Sequence, residues 1–255
     1  MTTTFATFQS LTRNMTRTLS LKAAEPSVAL ETKYFLATIP KIKTVDAFLK
    51  NTRVFTYAMN AFGLGDMAYA KGYMRKVLTE GIVDPKSFAN RLNDERFTAF
   101  AKAFDFDNYG PLTTTRPAAR QEVVDAYVRQ KLEVDAGAEN EGVRLALYFQ
   151  REAPKVKSAY GLLADPALWK VLKTVYGFPT AMASADIEKQ ATAVTQRLKL
   201  ADLQDPTKLD RLIRRFTARW DADQGVAASP TLALFPANGV GMRTGMALLN
   251  LKYGG

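Results

Sequence analysis

Whatever chemistry this chain performs, it performs without histidine or cysteine, since neither occurs among its 255 residues. Their absence removes imidazole acid–base catalysis, thiol nucleophiles, His/Cys zinc sites and disulfides together. The densest remaining charge is the set Lys208, Arg211, Arg214, Arg215 and Arg219, at helical spacing, a candidate for holding an anion such as a nucleic-acid phosphate. Two smaller pairs, Lys41 with Lys43 and Lys155 with Lys157, read either as phosphate clamps or as solvated turns ahead of helix caps. Asp105, Asp107 and Asn108 approach a calcium loop, but the glycine is misplaced and the closing Glu is absent. Gly239, Gly241 and Gly245 brush against a dinucleotide fingerprint that lacks its preceding strand. Phe88, Phe97, Phe100 and Phe104 suggest a base-stacking platform, yet their helical spacing among alanines reads as core. No catalytic, cofactor-binding or metal-ligating residue is therefore assigned. No cofactor is expected, and an enzyme is not the reading.

The elements that carry these residues show a repeat. Tyr34-Phe35, Pro40, Lys41, Lys43, Leu49 and Gly63 match Tyr148-Phe149, Pro154, Lys155, Lys157, Leu163 and Gly177, always 114 residues apart. Thr44 and Ser158 are placed to cap the helices that follow, and the two glycines to end helices in a left-handed turn. Asp165-Pro166 reads as a cap followed by proline at the first helical position. Each copy then has a helical stretch and an Asp-Pro start, at Asp84-Pro85 and Asp205-Pro206. Strand alternation is nearly absent, so the expected fold is all-α: two internally duplicated helical modules with apolar helices at both termini.

The expected divisions are an N-terminal amphipathic arm over 1–25 and a first module over 26–106. A linker and connecting helix over 107–139, a second module over 140–222, and a Pro/Gly-rich connection with a C-terminal helix over 223–255 complete the chain. Phe5, Phe8, Leu11, Met15 and Leu19 make one helical stripe along the arm. Two alternatives stand: a helix docked on its own core, or an arm that orders on a partner. On the second, Phe5, Phe8, Leu11 and Met15, with Leu248, Leu249 and Leu251 at the other end, are candidate partner-binding residues. Asp105 to Pro117 is the best candidate for the linker, and Arg129 and Glu133 read as solvated side chains.

No window approaches eighteen uncharged apolar residues, so no membrane span is expected. The net charge of +10 favours an acidic partner, whether nucleic acid, anionic lipid or an acidic protein surface.

Several segments together resemble a bacterial family still named as a domain of unknown function and encoded among flagellar genes in alpha-proteobacteria. They are Tyr34 to Ile39, Tyr57 to Met67, Tyr73 to Leu78, Asp84 to Leu92, Asn140 to Phe149 and Ala201 to Pro206. The resemblance spans most of the chain and carries no catalytic or ligand residues with it. It implies a flagellum-related role by association, and the first reading is then a non-enzymatic structural or assembly protein of the flagellum, acting by protein–protein contacts. The Cys-free composition and the Ser/Thr-rich, acid-poor arm are compatible with export, so a cytoplasmic and an exported location both stand. The alternative is a basic helical module that binds nucleic acid.

Overall fold

Thr44 and Ser158 show how the chain starts its helices. Each hydroxyl accepts from the backbone N–H three residues on, Ala47 at 3.1 Å and Gly161 at 3.2 Å, satisfying an amide that the first helical turn leaves free. Asn51 does the same for Val54, and Asp165 accepts from both Ala167 and Leu168. Gly63 and Gly177 follow at φ of 68° and 62°, a left-handed backbone where a side chain would be strained.

These signals punctuate an all-α chain, seen in a computed structural model that describes residues 2–92 and 94–225. Its helices are α1 (Thr4–Thr12), α2 (Met15–Ala24), α3 (Pro26–Thr38), α4 (Val45–Lys50), α5 (Thr52–Ala61) and α6 (Lys71–Thr79). There follow α7 (Phe88–Arg91), α8 (Glu95–Ala103), α9 (Phe106–Tyr109), α10 (Gln121–Glu139) and α11 (Glu141–Glu152). The last are α12 (Ala159–Ala164), α13 (Pro166–Tyr176), α14 (Ile187–Thr195), α15 (Ala201–Gln204) and α16 (Pro206–Asp223). Short 3-10 turns link several of them, and no strand occurs among the described residues.

Two hydrophobic cores form. The first takes its aromatic centre from Phe48, Phe55, Phe100 and Phe104, all fully buried, with Phe48 and Phe104 ring centroids 4.6 Å apart. Phe97 and Phe100 thus belong to packing, as the helical spacing predicts. The second is mostly aliphatic, around Leu147, Leu162, Val171 and Leu172, with Phe149 and Phe216 also fully buried in it. In the first half α5 packs between α3 and α10, and α2 lies across α3 and α10; in the second α13 packs between α11 and α16, and α1 lies across α11 and α16. The buried positions Val123, Val124, Tyr127, Val128 and Leu132 of α10 have the same spacing as Leu212, Ile213, Phe216, Thr217 and Asp221 of α16. The halves meet chiefly where α10 turns into α11 at Asn140.

Three expectations change. The arm is two helices rather than one, because Asn14 leaves helical geometry (φ −140°, ψ 76°) and caps α2 through Arg17 N–H at 3.1 Å. The expected linker is packed: Thr113 and Thr114 are buried, and the Thr114 hydroxyl donates to the Ile42 carbonyl at 2.7 Å. Asp84-Pro85 does not open a helix, since Asp84 accepts from Lys86 in a tight turn and Glu80 instead caps Phe88 at 2.7 Å. Asp205-Pro206, by contrast, does start α16. No helix among the described residues is long and apolar enough to cross a membrane.

Candidate interaction site

The N-terminal arm is fastened to α11 and α16 by a polar junction. The Thr4 backbone N–H donates to both Asp221 carboxylate oxygens, at 3.2 and 3.0 Å, and the Thr4 hydroxyl donates to Asp221 Oδ1. Asn140, the cap of α11, donates from Nδ2 to the Thr4 Oγ1 at 2.9 Å while its Oδ1 accepts from Gly142 N–H at 2.8 Å. Thr4 is fully buried and Asp221 nearly so. A carboxylate at the N-terminus of α1 complements the partial positive charge there. Gly142 is what lets the three helix ends approach, because a Cβ at that position would lie 2.5 Å from Trp220 and 2.9 Å from Thr4.

Below this junction the apolar stripe is laid down in order. Phe8 is 2% exposed within the second core, and Leu11 and Met15 pack against it, whereas Leu19 packs against the first core. Burial of Phe8 alone stabilises the docked arm by about 2 kcal/mol. The Arg214 guanidinium lies 4.7 Å from the centroid of the Phe5 ring. The arm therefore straddles both cores, and the four N-terminal residues offered for a partner are engaged by their own chain. Leu248, Leu249 and Leu251 lie outside the described residues.

The basic set sits on α16 as two kinds of residue. Lys208 pairs with Asp202 at 2.6 Å and Arg214 with Asp210 at 2.7 Å. Arg219 donates to the Thr174 carbonyl at 3.4 Å, and Arg215 lies over the Tyr176 ring. All five side chains are exposed, and Lys208, Arg211, Arg215 and Arg219 share one helical face. Lys155 of the repeated basic turns pairs with Glu152 at 3.0 Å, and both Lys41 and Lys43 are exposed.

Sequence reading missed a buried ionic junction between α10 and α11. Glu133 is 1% exposed, not solvated, and Arg151 grips it with two hydrogen bonds of 2.8 and 2.9 Å. Arg129 adds a third at 3.1 Å. Burial works to lower the pKa of Arg151, but the Glu133 carboxylate more than offsets this and holds it above its ordinary value. Next to it, the Tyr148 hydroxyl donates to Asp165 at 2.6 Å; burial and that carboxylate both push Tyr148 up. Glu133 carries no local signature, because its burial comes from α11 lying across it. Asp221 does carry one: it falls on the apolar stripe of α16, where a charge needs a partner.

The cavities offer little by comparison. An open groove of about 310 Å³ lies over Pro154, Leu203, Pro206, Leu209 and Ile213, and its one ionisable wall residue, Asp210, is paired with Arg214.

A protein of Agrobacterium tumefaciens, known from its crystal structure, is 42% identical, with a TM-score of 0.80 over 86% of this chain and 94% of its own. No curated protein is significantly similar. The sequence profile of the family described as "Protein of unknown function (DUF1217)" matches residues 61–209, from the end of α5 to the first turn of α16. The chain belongs to the DUF1217 family.

Proposed function

We propose that this protein is a non-enzymatic helical assembly protein that acts through protein–protein contacts, and that its two halves descend from one duplicated module. The observation that carries this reading is how buried and half-buried polar groups join its helices. Thr4, Asn140, Asp221, Glu133 and Arg151 all tie helix to helix, none converging on a cavity. The flagellar setting rests on the family resemblance, to which the acid-poor arm and the absence of cysteine lend compatibility. Affinity capture from motile cells through a tag at Gly255, with and without nuclease, tests it. Flagellar rod, hook or export components retained after nuclease are the expected result. Recovery of only nucleic-acid-associated proteins, lost on nuclease treatment, would sink it.

A second reading draws on the exposed face of Lys208, Arg211, Arg215 and Arg219, which suits a phosphate backbone. The ion pairs to Asp202 and Asp210 reduce the charge offered there. Changing Lys208, Arg211, Arg214 and Arg215 to Glu abolishes DNA retention on this reading; retention unchanged by that substitution removes it.

A further inference from the structure

The arm is written as one helix and folded as two. From Thr2 to Glu25 it contains neither glycine nor proline, and Phe5, Phe8, Leu11, Met15 and Leu19 keep helical spacing straight through the break. At the break itself only Asn14 leaves helical dihedrals; Arg13, at φ −53° and ψ −36°, is helical and donates to the Gln9 carbonyl at 2.9 Å. One residue's backbone therefore separates a bent arm from a continuous helix over residues 4–24, about 30 Å long.

We propose that the arm is a two-state element, and that its straight form docks α1 into the α11–α16 cleft of a second copy of this chain. Straightening at Asn14 carries Phe8 and Leu11 away from their own second core while α2, which begins at Met15, stays on α3 and α10. It also strips Asp221 and Asn140 of Thr4 and opens the space over Gly142. Exposed apolar side chains on one side and unpartnered polar groups on the other are both costly. A second copy supplies the complement to each, since its cleft and its α1 are the ones already seen seated together. Exchange of this kind reproduces the contacts of α1 with α11 and α16 and gives up only those at the hinge, such as the bond from the Thr18 hydroxyl to the Leu11 carbonyl at 2.9 Å, so the hinge and the protein concentration decide between them. Mutual exchange closes a dimer, and one-way exchange extends a chain. This deepens the assembly reading by naming a first partner, and it is tested on purified protein. Failure here leaves heterologous partners in cells untouched.

The cysteine-free background makes the test clean. Thr4→Cys and Asp221→Cys single variants of the full chain are mixed and oxidised. The predicted product is a covalent heterodimer whose yield rises with protein concentration. If the Thr4→Cys/Asp221→Cys double variant links only within one chain, and the mixture gives no heterodimer, the proposal is overturned. Because these changes disturb the junction, a second pair leaves it intact. Asn14→Ala and Asn14→Gly both delete the Asn14 cap, but differ roughly fivefold in preference for a continuous helix, since only residue 14 changes its dihedrals. Light scattering after size exclusion is expected to shift the alanine variant to dimer mass or above and keep the glycine variant monomeric. Equal masses for the two contradict the hinge.

Discussion

At Gly142 and Glu133 single side chains decide how helices meet. Gly142→Ala gains about 1 kcal/mol of helix propensity but places a methyl group against Trp220 and Thr4, an overpacking that costs about 1–3 kcal/mol. We expect a net loss of stability by chemical denaturation, together with faster proteolysis before Glu25 as α1 is pushed off. At Glu133 the loss is electrostatic. Glu133→Ala leaves Arg151 and Arg129 facing each other across a buried site, which costs about 3 kcal/mol, the low end of the range because Arg151 still reaches solvent. A denaturation midpoint indistinguishable from the parent would show that the pair is not structural. These two residues also mark what the sequence could and could not disclose. A glycine two residues past the cap Asn140 is visible in the sequence, but what it approaches, Trp220 and Thr4, lies far away along the chain. Glu133 reads as one more charge on a helix until α11 is laid over it.

Among the elements, the cap residues are where sequence and fold agree most closely, because capping depends only on neighbours within a turn. Thr44→Ala and Ser158→Ala should each cost about 1 kcal/mol, since each hydroxyl satisfies a single amide. Asp165→Ala should cost more, about 2 kcal/mol, as that carboxylate accepts from Ala167, Leu168 and the Tyr148 hydroxyl. Thermal melts of the three variants side by side test the ranking; an Asp165 variant no worse than the Ser158 one contradicts it. Asn14 was a harder case, because the same side chain that caps α2 is tolerated within a helix and the apolar spacing runs past it. Asp105 to Pro117 misled for a different reason. Its Gly-Pro and threonines are turn residues, but those turns fold back, with Thr114 bonding Ile42 and the Arg116 guanidinium stacked 3.5 Å from the Tyr109 ring centroid.

The whole molecule depends on two cores held in register by α10–α11 and by the arm, and its pH response should show this. Burial foremost pushes Tyr57 and Tyr148 above the ordinary tyrosine value, so the fold holds both neutral. Burial works to lower Lys22, but Glu25 at 2.5 Å and Asp135 at 3.0 Å outweigh it and hold it above its ordinary value, fixing α2 to α10. All three folded values are raised, so their contributions are fully present below pH about 10 and are lost as the pH climbs beyond it. Stability should be flat through neutral pH and fall on the alkaline side, and the part of the tyrosinate absorbance that Tyr57→Phe or Tyr148→Phe removes should appear only with unfolding. Tyr148→Phe should soften that fall. That part rising well before unfolding would mean the buried tyrosines are not protected.

The most direct measurement on the arm as a strap across both halves is amide hydrogen exchange on the full chain beside a chain starting at Pro26. The account predicts that removing the arm lowers protection on α11 and α16 in the second half and on α3 and α10 in the first. Unchanged protection, or loss confined to one half, would contradict it.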